Sequence, residues 1–289
     1  IYIEPIVGIS EGDSLDTSGY FIDSDPDTWN ATVDYGDGSG VQVLDLDEKS
    51  FVLNHVYVDD GTYTITVNVS DGSISLGIGN ILLPVSNVPP MVTINQPPKF
   101  SIPLLILINR TLQFSADFTD PGKVDTHTAI WDWGDGNVLP GTVDESNGSG
   151  TVRDFYSYST IDNYTITLMV TDDDGGTGYD SHMVQVCDLS GAAQAVIDAI
   201  ENLPNETFKR DAEKLKANLT RFLEQADKLT EKGNYKGASS VWEHTIRHTM
   251  DGYVGGKSDK DDWIIDPDFQ LWAKWAIDEI VLSLNLMPK

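Results

Sequence analysis

Ile130-Trp131-Asp132-Trp133-Gly134-Asp135-Gly136 reads as a buried strand that runs directly into a tight turn. The turn needs glycine because only glycine takes positive φ without a steric penalty. The phrase has an echo in Asp34-Tyr35-Gly36-Asp37-Gly38, with Gly36 and Gly134 standing 98 residues apart. A second pair follows at its own fixed offset. Tyr57 and Tyr63 lie six residues apart, as do Tyr158 and Tyr164, and each second tyrosine opens a Tyr-Thr-Ile-Thr strand. Both strands lead into acidic turns, Asp71-Gly72 and Asp172-Asp173-Asp174-Gly175. Order, spacing and residue type recur together, which marks a duplicated unit.

Strand parity extends the reading. Trp29, Ala31, Val33 and Tyr35 share one face and belong to a core, and so do Tyr63, Ile65 and Val67. Asn30, Thr32 and Asp34 face the other way, with Asn68 and Ser70. On these residues the two segments resemble PKD repeats, immunoglobulin-like β-sandwich modules with a Trp-Asp-Phe-Gly-Asp-Gly-type signature. The second repeat fits that signature at Trp131 to Gly136. The first has Val33 and Tyr35 in the inward aromatic slots and is carried by His55-Val56-Tyr57 and the Tyr63 strand. The resemblance implies all-β, non-catalytic modules of the kind found in archaeal surface-layer and cell-envelope proteins, and as accessory modules of secreted hydrolases.

After Cys187 the hydrophobic period changes from 2 to 3.6. Phe208, Ala212, Leu215, Leu219, Phe222, Ala226 and Leu229 predict one helix ending at Gly233. Flanking helices are expected at Ala192 to Leu203, at Tyr235 to about Tyr253, and from Asp266-Pro267 onward. The expected architecture is therefore a β-sandwich over residues 1–87, a second over 88–188 and an α-helical bundle over 189–289. The segment from Phe208 through Gly233-Asn234-Tyr235-Lys236-Gly237-Ala238 resembles the small FIMAH-type helical domain of secreted proteins, which implies adhesion to glycans. Trp242, Trp272 and Trp275 stand at helical spacing and read as core rather than as sugar platforms.

The chain carries a net charge of −28, which argues against a nucleic-acid partner. Residues 1–188 hold 25 Asp but only 4 Glu, a bias toward the acid that serves turns and oxygen-liganded cations. Asp23, Asp25 and Asp27 alternate as calcium ligands do, and they read either as a metal loop or as a solvated turn. The single Cys187 excludes an internal disulfide framework. No apolar run is long enough to span a membrane. The opening Ile, without a basic-then-apolar leader, fits a processed secreted chain or an excised fragment. His244 and His248 lie a helical turn apart, but Thr245 stands where a metalloprotease motif needs Glu, and no other catalytic constellation emerges.

Seven Asn-x-Ser/Thr sequons, at Asn30, Asn68, Asn109, Asn147, Asn163, Asn205 and Asn218, exceed the roughly two expected by chance. N-linked glycans on an extracellular chain follow. Leu104-Leu105-Ile106-Leu107-Ile108 is apolar at successive positions, as in a strand covered on both faces. Its cover is either the helical domain or first repeat, or a neighbouring subunit. The reading that follows is a non-catalytic, glycosylated subunit of a cell-surface layer, sheath or fibre, assembling with copies of itself or other envelope proteins and cross-linked by calcium. The alternative is an accessory or polysaccharide-binding region of a secreted hydrolase or adhesin.

Overall fold

The structure, a computed structural model, describes residues 1–24, 28–71, 75–209, 211–250 and 263–287. The first sandwich is built from β1 (Tyr2–Ile3), β2 (Ile9–Ser10), β3 (Ser14–Tyr20), β4 (Asn30–Asp34), β5 (Gln42–Leu44), β6 (Ser50–Val56), β7 (Gly61–Ser70) and β8 (Ser75–Ser86). Its sheets run β1-β3-β6 and β2-β8-β7-β4-β5. The second sandwich comprises β9 (Met91–Gln96), β10 (Leu104–Leu107), β11 (Leu112–Thr119), β12 (Thr128–Asp132), β13 (Val138–Pro140), β14 (Thr142–Ser146), β15 (Ser149–Tyr156), β16 (Asn163–Thr171) and β17 (Thr177–Cys187). Its sheets run β14-β15-β11-β9 and β10-β17-β16-β12-β13. In both, an early strand lies parallel to the last one: β2 on β8, and β10 on β17.

The duplication holds at the level of atoms. Gly36 and Gly134 have φ of 79° and 78°, and a Cβ on either would sit 2.6 Å from a carbonyl oxygen, of Thr64 or Thr165. Asp34 and Asp132 each accept the backbone N–H of that glycine at 2.9 Å. Behind the turn, the buried hydroxyl of Tyr57 donates to the Tyr35 carbonyl at 3.0 Å, and that of Tyr158 to the Trp133 carbonyl at 2.9 Å. His55 stacks on Tyr35 and bonds Asp37 at 2.7 Å; Tyr156 stacks on Trp133 and donates to Asp135 at the same distance. A histidine and a tyrosine thus perform one task in two repeats. Trp131 and Trp133 are fully buried.

The helical region consists of α1 (Leu189–Asn202), α2 (Ala212–Glu231), α3 (Tyr235–Val241), a π-helical turn (Trp242–Ile246), α4 (Arg247–Met250) and α5 (Pro267–Leu286). Asp266 caps α5 through the Phe269 N–H, with Pro267 in its first turn. The predicted seam needs one correction. Phe208 lies outside α2, in a bridge to Ile264, because a 3₁₀ turn (Asn205–Thr207) intervenes and α2 starts four residues later, capped by Asp211.

A second correction concerns Leu104 to Ile108. The assembly contact with a neighbouring subunit does not hold, since Leu104, Leu105, Ile106 and Leu107 are buried within this chain. Leu104 and Ile106 fill the second sandwich; Leu105 and Leu107 fill the helical core, and Ile108 packs partly buried against the sandwich. The strand is apolar at every position because it is a wall between two cores. Its outer edge is closed by α5, where Trp272 and Trp275 donate indole N–H groups at 3.0 Å to the carbonyls of Pro103 and Leu105. Arg110 pairs with the buried Glu279 at 3.2 Å beside them.

Leu105→Asp is expected to cost at least about 3 kcal/mol, because it buries a charge without a partner. Circular dichroism in a urea series should show helical signal lost well before that of the parent; an unchanged midpoint would place Leu105 outside the core. Tyr158→Phe leaves the buried Trp133 carbonyl without its donor and should cost about 1–3 kcal/mol, read from tryptophan fluorescence in the same series.

Candidate functional site: the acidic joint between the sandwiches

Four loops meet where the first sandwich ends and the second begins. The β2–β3 and β6–β7 loops of the first bring Glu11, Asp59 and Asp60; the β11–β12 and β16–β17 loops of the second bring Asp120, Asp125 and Asp172 to Asp174. The two bodies touch closely here. A Cβ on Gly12, whose φ is 77°, would come within 2.6 Å of the Pro121 Cβ, and the Lys123 N–H donates across the joint to the Val58 carbonyl at 3.0 Å. Glu11 binds the linker itself, accepting the Val88 N–H at 2.7 Å.

Asp120, Asp172 and Asp173 are held by hydrogen bonds, whereas Asp125 is not. Asp120 accepts the Gly122 N–H at 2.9 Å and meets His127 Nε2 at 3.2 Å. Asp172 accepts the N–H groups of Asp174 and Gly176 and both reaches of the Asn87 amide. Asp173 accepts from Thr126. Asp125 has no hydrogen-bond partner on either oxygen although the residue is only 8% exposed, and Glu11 Oε2 is likewise unpartnered at 2% exposure. Gly122 makes room for this arrangement, since a Cβ there would collide with the Asp125 carboxylate.

Burial and the neighbouring charges of Asp125, Asp120 and Asp60 push the Glu11 carboxyl up to about 7, against the hydrogen bond from Val88. Asp125 is pushed up to about 6 by burial and by Asp120, Asp173, Asp174 and Asp59. His127 is also raised: burial pulls it down, but the hydrogen bonds to Asp120 and Glu145 prevail.

The residues singled out in the sequence are placed as follows. Asp23 is half-buried and its carbonyl accepts from Lys49, while Asp25 and Asp27 lie outside the described residues. Asn30, Asn68, Asn109, Asn147, Asn163 and Asn205 are exposed, and Asn218 is half-buried on α2. Asn147 sits with Gly148 at positive φ at the tip of the β14–β15 hairpin. His244 and His248 are exposed, and no third ligand joins them among the described residues. Trp242 and Trp272 are buried, and Trp275 is spent on Leu105.

The sequence profile of the PKD domain matches residues 3–75 and 88–186. The chain belongs to the PKD domain family. PKD domains are non-catalytic immunoglobulin-like modules of extracellular type, structural or adhesive, and occur in secreted peptidases as well. Among solved structures, the chain is similar to the PKD domain of an M14-like peptidase from Thermoplasmatales archaeon SCGC AB-540-F20, at 19% identity over 35% of this chain and 98% of that one, with a TM-score of 0.29. It is similar to the PKD1 domain of Vibrio anguillarum Epp at 23% identity, over 36% and 99% of the two chains, with a TM-score of 0.24. The fibronectin(III)-like modules of Clostridium thermocellum CbhA align over 64% of this chain and 93% of that one, at 18% identity and a TM-score of 0.29. No curated protein sequence matches the chain significantly.

The joint sets a pH dependence whose sign follows from the raised values. In chelator-treated protein, the stability tied to Glu11 and Asp125 is full below about pH 4 and is lost as pH rises through 6 and 7. His127, also raised, acts in the same direction. The depressed carboxyls of Asp37, Asp173 and Asp180 act only below the ordinary carboxylate range. Calorimetry in chelator should therefore show a Tm that peaks in mildly acid solution and drops by a few degrees toward neutrality. A flat profile across that window would show the joint carboxyls to be unshifted.

Proposed function

We propose that this chain is an extracellular structural protein, a glycosylated subunit of a cell-surface layer, sheath or fibre of archaeal type, in which two PKD modules serve as a spacer. The observation that carries this reading is the placement of the sequons. Asn30, Asn68 and Asn163 occupy outward positions of strands whose alternate residues fill the cores, and Asn109, Asn147 and Asn205 stand exposed in turns. A glycan on any of these six meets solvent rather than protein. The family's non-catalytic character and extracellular occurrence support the same reading. Among the described residues, no helix is long and apolar enough to cross a membrane.

In this reading the helical region, FIMAH-like in its Gly233-Asn234-Tyr235 turn, is a cap docked on the second module. The three tryptophans that would offer sugar platforms are engaged in packing or hydrogen bonds instead. Exposed apolar side chains on the outer sheet faces, among them Tyr179 and Met183 of β17, are available for contact with other subunits.

Mass spectrometry of the protein purified from its native source, intact and after proteolysis, tests the proposal. Hexose-containing adducts on at least the outward strand asparagines are expected, together with ordered arrays or filaments in electron micrographs of the cell surface. A mass equal to that of the bare polypeptide would remove the glycoprotein reading. A hydrolase domain in the same polypeptide, with no array, would favour the accessory role.

A further inference from the structure

We propose that the joint between the two sandwiches is a divalent-cation site of the calcium class, centred on Asp125 of the second sandwich and bridged to the first through Glu11 and Asp59. Oxygen atoms of Glu11, Asp59 and Asp125 all lie within 4.8 Å of one another, and the same is true of Asp120, Asp125 and Asp172. Oxygens ligating one calcium ion at 2.3–2.6 Å lie at most about 5 Å apart, so each triad fits a single coordination shell. Asp125 belongs to three of the four such triads among the described residues. It is the hub of the cluster.

Crowded acids alone would mean little, since exposed carboxylates cluster freely in water. Here the hub is a buried carboxylate with both oxygens unpartnered, pointing at oxygens from both sandwiches, and Glu11 Oε2 repeats the pattern from the other side. Buried charge without a partner is costly, and folding ordinarily supplies a cation, a donor or neutralisation. Among the described residues, no Lys or Arg forms an ion pair with any carboxylate of the cluster. The imidazole of His127 serves Asp120 and Glu145, and leaves Asp125 and Glu11 Oε2 without a partner.

The donor chemistry selects the ion. All donors are hard carboxylate oxygens, and Cys187 is buried elsewhere, in the helical core, so soft metals find no ligand. Many carboxylates drawn from several loops suit the six-to-eightfold shell of calcium better than the strict octahedron of magnesium. Ligation by Glu11 and Asp59 from one side and Asp125 from the other fixes the angle between modules. Removing the ion leaves like charges facing each other across the same gap.

Calorimetric titration of the chelator-stripped 289-residue protein with calcium chloride at neutral pH tests this. Saturable binding with a Kd on the order of 0.1–1 mM is expected, with weaker binding of magnesium. Saturation should raise Tm by roughly 5 °C. Asp125→Asn should weaken binding at least tenfold, yet melt in chelator no lower than the parent, which separates lost ligation from failed folding. Glu11→Gln and Asp59→Asn should each weaken binding severalfold, and the exposed Asp16→Asn should leave it unchanged. Absence of binding at millimolar calcium overturns the site. Loss of binding in Asp125→Asn with parent-like binding in both Glu11→Gln and Asp59→Asn overturns the bridging of the two sandwiches. Either failure leaves the extracellular structural reading standing, because that reading rests on the sequons.

Discussion

A sheet that ends in an open edge leaves a row of backbone carbonyls without donors, and the second sandwich meets this constraint by recruiting the helical region. Two tryptophan N–H groups of α5 reach the Leu105 carbonyl of β10 and the Pro103 carbonyl just before it, and the outward side chains of that strand become part of the helical core. The consequence is organisational. The helices do not form a separate bead on a string; they share a hydrophobic wall with the sandwich, and Arg110 with Glu279 adds a charged clasp at its rim. The first sandwich, by contrast, meets its neighbour among the described residues through loops and the linker, where Glu11, Asp59, Asp60, Asp120, Asp125 and Asp172 to Asp174 gather.

That contrast defines two kinds of joint in one chain. At β10 the cover is apolar and permanent, since separating it would expose Leu105 and Leu107 to water. Between the sandwiches the cover is polar, and its stability depends on what neutralises Glu11 and Asp125. At the proposed cation site, protons and the ion would compete for the same oxygens. The chain therefore has one joint fixed by apolar burial and one whose balance follows the charge state of its carboxylates.

Much of this was legible in the sequence, for identifiable reasons. Local features are written locally: the Gly-Asp-Gly turns, the two tyrosines six residues apart and the strand parity each involve neighbours along the chain, and each recurs in the structure at the expected residues. The unbroken apolar run at Leu104 to Leu107 also announced a strand covered on both faces, but nothing in the run named the second cover, because Trp272 and Trp275 lie some 170 positions away. Phe208 kept the helical period by coincidence of spacing while the backbone took a 3₁₀ turn. The acidic joint was the least legible. Its members come from four loops, and the available signal was compositional: Asp59-Asp60-Gly61, Asp120-Pro121-Gly122 and Asp172 to Gly175 all place acids beside glycine at strand ends. Asp23, Asp25 and Asp27, by contrast, are regularly spaced along the chain and carry the stronger local signal.

The parallel pairing of β10 with β17 carries one more implication, for how the second sandwich bears load. The start of β10 and the end of β17, which continues into α1, lie at opposite ends of their ladder, so tension between those two points slides the strands past each other instead of peeling them apart. Shear loads the hydrogen bonds from Leu104 to Leu107 together, where unzipping would break them in turn. Trp272 and Trp275 of α5 tie the outer edge of that ladder, so a load along it is carried into the helical core as well.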